Sequence, residues 1–123
     1  HFDHVGMEAN RHSAVLIINK IKEIVGKKPS IVTGDFNMTE GAEPYITITT
    51  DEFVLRDAYK ICDDKEGVSY TAHAFGREPM EKRQKIDFIF VTPNVQVQKA
   101  HIAVDNPSYM ISDHNPHWAE IQF

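Results

Sequence analysis

A single cysteine, Cys62, rules out an internal disulfide and leaves the redox compartment open. No apolar run approaches the roughly 18–20 residues that a membrane-spanning helix needs, and internal repeats and low-complexity tracts are absent. The six glycines never gather into a phosphate-cradling loop. Basic residues are in deficit, 13 against 18 acidic, for a formal charge of −5. That balance argues against a dedicated nucleic-acid binder with a broad basic surface, yet leaves room for an enzyme that meets a few phosphates through a metal ion. An initiating methionine is lacking too: the sequence opens on His1, and the expectation is that the true start of the protein has been cut away. What remains is ordinary. The 123 residues are 41% hydrophobic and 25% charged, the composition of one modest globular domain.

Periodicity divides the chain into helices and strands. Ala14, Ile17, Ile18, Ile21, Ile24 and Val25 make one apolar stripe at helical spacing, so a helix is expected over 8–25, with Gly26 just past its last turn. A strand is expected at 31–33. Residues 39–50 are ambiguous, because Thr39 can cap a short helix while Thr47, Thr49 and Thr50 favour extended backbone; the helix is chosen. Residues 53–61 carry Leu55, Ala58 and Tyr59 near helical spacing. Residues 63–67 read as a solvated turn, 68–75 as a strand and 76–85 as a mobile charged loop. Residues 86–92 form the strongest strand, apolar enough to be buried on both faces, and Asp87 interrupts it. Residues 95–104 alternate with a slip near Lys99 that suggests a bulge, and 117–123 make a last strand. The fold class expected is α+β, one mixed, mainly antiparallel sheet with helices on one face.

Chemistry concentrates at strand ends. Residues 31–37 read Ile-Val-Thr-Gly-Asp-Phe-Asn, and on an extended backbone Asp35 and Asn37 leave on the same side while Phe36 points to the core. A strand closed by an Asx turn is the plainer reading of that stretch. Asp87, inside an apolar run, must be paired or metal-bound; it either bonds backbone groups at a strand end or orients a catalytic imidazole. His114 is the available imidazole, since a carboxylate on one ring nitrogen makes the other a better base. Alternatively, Asp113 and His114 belong to a polar turn before Pro116. His1 and His4 lack the Glu and the helix of a zincin motif, and a zinc site built on His1, His4 and His12 is the weakest alternative. Cys62 has no activating neighbour in sequence.

The four motifs His-x-Asp-His at 1–4, Gly-Asp-Phe-Asn at 34–37, Ile-Asp-Phe-Ile at 86–89 and Ser-Asp-His-x-Pro at 112–116 run in an order that resembles the endonuclease/exonuclease/phosphatase family. That family includes DNase I, the exonuclease III type of abasic endonuclease, the neutral sphingomyelinases and the inositol polyphosphate 5-phosphatases. The resemblance implies hydrolysis of a phosphoester by an in-line water with Mg²⁺ or Mn²⁺. It assigns Asp35 to the attacking water and the metal, Asn37 to a phosphoryl oxygen, Asp87 to the carboxylate on the catalytic His114, and Asp113 to the metal. His1 would contact the phosphate or assist the leaving group. Arg83, in the basic loop with Arg77, Lys82 and Lys85, is the candidate for further substrate contact. The family domain is a four-layer sandwich of about twice this length, whose first half supplies a metal-binding Glu. Residues 1–123 therefore resemble its C-terminal half, expected to be weak or inactive alone. Nucleic acid, nucleotide, lipid head group and sugar phosphate all remain as substrates. The apolar sheet face that would meet the other half could pair two copies in a homodimer. A non-catalytic interaction module that keeps the fold is the alternative from another class.

Overall fold

The apolar stripe becomes helix α1 (Met7–Val25), which buries Asn10, Ala14, Ile18 and Ile21 against a sheet and ends at Gly26 in a left-handed conformation, φ 61°. The computed structural model describes residues 1–52, 55–104, 106 and 108–123. After α1 come β1 (Ile31–Asp35), α2 (Glu43–Thr50), β2 (Arg56–Asp57) and α3 (Ala58–Ile61). The remainder is β3 (Lys65–Gly67), a 3-10 turn at Met80–Lys82, β4 (Asp87–Val91), β5 (Gln96–Ile102) and β6 (His117–Gln122). The architecture is α+β. Its strands divide into two three-stranded sheets, β1-β4-β2, antiparallel throughout, and β3-β5-β6, in which β3 runs parallel to β5.

Alternation on β1 and β4 decides what faces what. Phe88 and Phe90 turn toward the helices and meet Phe36 edge-on at ring-centroid distances of 6.0 and 5.1 Å, with Phe2, Tyr45, Ile18 and Ile21 in the same core. Burying each such ring contributes roughly 2–3 kcal/mol. On the opposite face the register pairs Asp35 with Asp87 and Thr33 with Ile89, so both acids leave the sheet on the side away from α1.

Several local expectations give way. Helix α2 keeps its threonines because Thr47, Thr49 and Thr50 donate their hydroxyls to the carbonyls of Glu43, Tyr45 and Ile46, one turn back. The turn read at 63–67 instead supplies β3, whose exposed residues gain ladder bonds from β5. Residues 68–75 are not a strand: only Ala72 makes isolated bridges, to Gln84 and His114, and Ala74 and Phe75 then turn through positive φ. The loop at 76–85, read as mobile, is braced by Arg83, and Lys85 is buried within ion pairs. Strand β4 is buried at Phe88, Phe90 and Val91, but Ile89 is half-buried, so one face stays partly open. The register shift between Val97 and Lys99 supplies the irregularity anticipated there. Of the near-helical stretch at 53–61, Phe53 and Val54 lie outside the described residues, and the rest splits into β2 and α3. No helix among the described residues is long and apolar enough to cross a membrane.

Candidate active site

Adjacent antiparallel strands place the two acids side by side. Asp35 ends β1 and Asp87 begins β4, directly opposite in register. Beyond Asp35 the chain does not continue extended: Asn37 takes φ 45°, and its N–H donates to Asp35 Oδ1 at 2.8 Å. The Asx turn is thus real, and it is what folds the Asn37 amide back beside Asp35. Asn37 Nδ2 donates to Phe2 O at 2.9 Å and lies 3.4 Å from Asp35 Oδ2. Phe2 N in turn donates to Asp35 O, and so the segment opening at His1 is stitched to the strand end. His1, exposed, brings Nε2 within 3.3 Å of Asp35 Oδ2.

Asp87 is held from behind. Buried Thr71 accepts the N–H groups of both Ile86 and Asp87 on its single Oγ1, at 3.0 and 3.1 Å. The carboxylate is left for the imidazole: His114 Nδ1 lies 2.7 Å from Asp87 Oδ2. A carboxylate only accepts, so Nδ1 carries a proton, and in the neutral ring Nε2 then presents the lone pair. His114 is seated by its bridge to Ala72, by Asn115 N–H donating to Thr71 O at 2.7 Å, and by His73 N–H donating to Asp113 O at 3.0 Å. Thr71 therefore ties the Asp87 segment to the His114 segment.

The atoms of Asp35, Asp87 and His114 that could ligate a metal all lie within 4.8 Å of one another, and each residue is half-buried. His1 and Asn37 flank this cluster. Asp113, expected at the metal, is exposed and its carboxylate stands outside the cluster. Arg83 also stays away: its guanidinium donates to Glu78 O, Gly76 O and the Tyr70 hydroxyl and rests 5.1 Å over the Tyr70 ring. It braces its own loop. Among the described residues His4 and His12 join no metal-type cluster; each meets only an acid nearby in sequence, Asp3 and Glu8. Buried Cys62 donates its thiol to Asp64 O.

Below the cluster lies a charge network that sequence reasoning missed. Lys85, 7% exposed, sits 2.7 Å from Asp57 Oδ2 and 2.8 Å from Glu40 Oε1, over the rings of Tyr59 and Phe88. It links the segment entering Asp87 to the loop leaving Asn37. Burial alone pushes the Glu40 carboxyl up, but the hydrogen bond and charge of Lys85 outweigh it and hold the group below its usual range. Burial, with the charge of Asp57 beside it, raises the Tyr45 phenol. Burial lowers His117, whose Nδ1 donates to Asp87 O at 3.3 Å.

Two carboxylates and an imidazole are an oxygen-rich donor set that suits Mg²⁺ or Mn²⁺. After the His114 bond, Asp87 keeps Oδ1 free of it, and Asp35 Oδ2 has only the long contacts to His1 and Asn37. The residues present fit such an ion.

No protein-family model matches the chain, and no curated protein does. Solved structures do. An endonuclease/exonuclease/phosphatase from Bacteroides vulgatus is 56% identical over 99% of this chain, with a TM-score of 0.95, and the chain covers 47% of it. A mannosyl-6-phosphatase from Bacteroides thetaiotaomicron VPI-5482 is 31% identical over the whole chain, TM-score 0.85, with 49% of its own length covered. The human Nocturnin catalytic domain, solved with bound sulfate, is 23% identical at a TM-score of 0.73 and shares the fold. The chain spans about half the length of the solved structures it matches.

Proposed function

The chain belongs to the endonuclease/exonuclease/phosphatase family, and from that premise we propose that it carries part of a metal-dependent phosphoester hydrolase site centred on Asp35, Asp87 and His114. The observation that supports this most is the 2.7 Å bond between Asp87 and His114 beside the Asp35 carboxylate, all within one 4.8 Å cluster. Asp35 and Asp87 would hold Mg²⁺ or Mn²⁺, which when bound supplies positive charge against the phosphoryl oxygens. The protein groups do the rest. Asp35 aligns the attacking water, and Asn37 Nδ2, with one hydrogen on Phe2 O and the other on the long 3.4 Å contact to Asp35 Oδ2, would turn that second hydrogen to a phosphoryl oxygen. His114, fixed in one tautomer by Asp87, exchanges a proton at Nε2, and His1 stands on the solvent side to meet the leaving group. A mannosyl-6-phosphatase among the relatives supports a sugar phosphate monoester as substrate. Since half of each matched structure lies outside the alignment, this chain alone turns over slowly and the whole domain faster.

The test is Mg²⁺-dependent hydrolysis of a sugar phosphate and of a simple phosphodiester, by this chain and by a polypeptide extended to the length of the matched structures. Activity that falls to background with EDTA and in Asp35→Asn agrees with the proposal. Activity indifferent to both, or absent from the extended protein, overturns it.

A further inference from the structure

Consecutive N–H groups of an extended strand point to opposite edges, so they do not meet one acceptor. Those of Ile86 and Asp87 do, both donating to Thr71 Oγ1 at 3.0 and 3.1 Å. The chain is therefore bent where it enters β4, its two amides forming a small concavity around one oxygen. The Ile86 carbonyl, meanwhile, accepts Phe36 N–H at 2.9 Å. The peptide joining Ile86 to Asp87 is thus held at both ends, its carbonyl by Phe36 and its N–H by Thr71. The direction in which the Asp87 side chain leaves the backbone turns on that plane.

The same residue grips the segment that carries His114. Thr71 O accepts Asn115 N–H at 2.7 Å, and Tyr70 O accepts Asn115 Nδ2 at 3.3 Å. Thr71 N–H and Ala72 N–H both donate to Gln84 O at 3.0 Å. Residues 70–72 accordingly lie between the two segments whose side chains make the 2.7 Å Asp87–His114 bond. Of the bonds that Thr71 makes, those at Oγ1 alone depend on its side chain. Threonine suits the position: its hydroxyl oxygen has two lone pairs for two donors, its β-branched side chain is stiff, and the residue is fully buried. We propose that Thr71 is a positioning residue, whose hydroxyl holds the bend that aims the Asp87 carboxylate at His114 Nδ1 and so selects the Nδ1–H tautomer of the neutral imidazole. The inference deepens the hydrolase reading above and rests on it for the use made of His114 Nε2, while the geometry itself needs neither metal nor substrate.

The test is nitrogen-edited NMR of the metal-free chain in alkaline buffer, where the imidazole is neutral, with the His114 signals identified by their disappearance in His114→Gln. Wild type shows the Nδ1–H form, with an Nδ1 proton protected from exchange. Thr71→Val, the same shape without an acceptor, lowers the ratio of Nδ1–H to Nε2–H forms by about tenfold or more, the worth of one hydrogen bond to a charged group, and loses the protected proton. Thr71→Ser keeps both features. Thr71→Cys, whose sulfur accepts weakly, falls between and decides the matter even if Thr71→Val folds poorly. Ile48→Val, a truncation in the fully buried core, leaves the tautomer ratio unchanged and so separates positioning from lost stability. A wild-type ratio in Thr71→Val or Thr71→Cys overturns the proposal, as does a loss of equal size in Thr71→Ser or Ile48→Val. Because the readout involves no turnover, absent hydrolysis bears on the hydrolase reading alone.

Discussion

Lys85→Met is the perturbation whose size follows most directly from the structure. The Lys85 side chain is 6% exposed and that of its partner Asp57 is 1%. Met preserves the stem packing over Tyr59 and Phe88 and removes only the charge. Breaking a buried ion pair by removing one member costs roughly 3–5 kcal/mol, because the other charge stays buried. Asp57 is not wholly abandoned: it accepts the Tyr59 and Lys60 N–H groups at 3.0 and 3.4 Å and the Tyr45 hydroxyl at 3.3 Å. Glu40, 41% exposed, simply rehydrates. The expected loss is therefore at the low end, about 3 kcal/mol, a large part of a typical domain's stability. Adding Asp57→Asn, which retains the Oδ1 cap of α3, should recover about 1–2 kcal/mol by removing the stranded charge. Urea unfolding of the three proteins measures both steps through the midpoint at constant slope. A Lys85→Met cost below about 1 kcal/mol would refute the reasoning, as would a second substitution that deepens the loss.

Other outcomes follow from the same contacts. Thr71→Val leaves the part-buried N–H groups of Ile86 and Asp87 without their shared acceptor, so unfolding experiments should register a loss of about 1–3 kcal/mol. The Glu40 carboxyl titrates in the folded state below its usual value of 4.5, so its stabilising contribution is complete above that value and is lost as pH falls through the folded pKa. Glu40→Gln should thus be less stable than wild type at neutral pH and converge with it in acid, as thermal melts across the range would reveal.

How much of this was legible beforehand depended on whether the governing interaction was local. Helix α1, β1, β4 and β6 announced themselves because their periodicity reflects the face each buries. The strand-end acids stood out because charge inside apolar runs requires an explanation. The turn that became β3 and the strand that became the 68–75 loop depended on partners far along the chain, β5 for one and Gln84 with His114 for the other. The sequence places Lys85 in a mobile charged loop because nothing nearby along the chain discloses its partners, buried Asp57 and exposed Glu40. Asn10 was legible in principle. It falls one turn before Ala14 on the stripe that continues through Ile18 and Ile21, a polar residue on an apolar face, and that exception marks its bond to Asn37 O.

Mn²⁺ titration of this chain, followed by water-proton relaxation, tests the central claim most directly because it needs no turnover. If Asp35 and Asp87, beside His114, hold the ion, wild type binds saturably and Asp35→Asn or Asp87→Asn weakens binding by about tenfold or more, while Asp113→Asn, outside the cluster, leaves it unchanged. Binding that survives both substitutions, or that depends on Asp113 alone, would contradict the account.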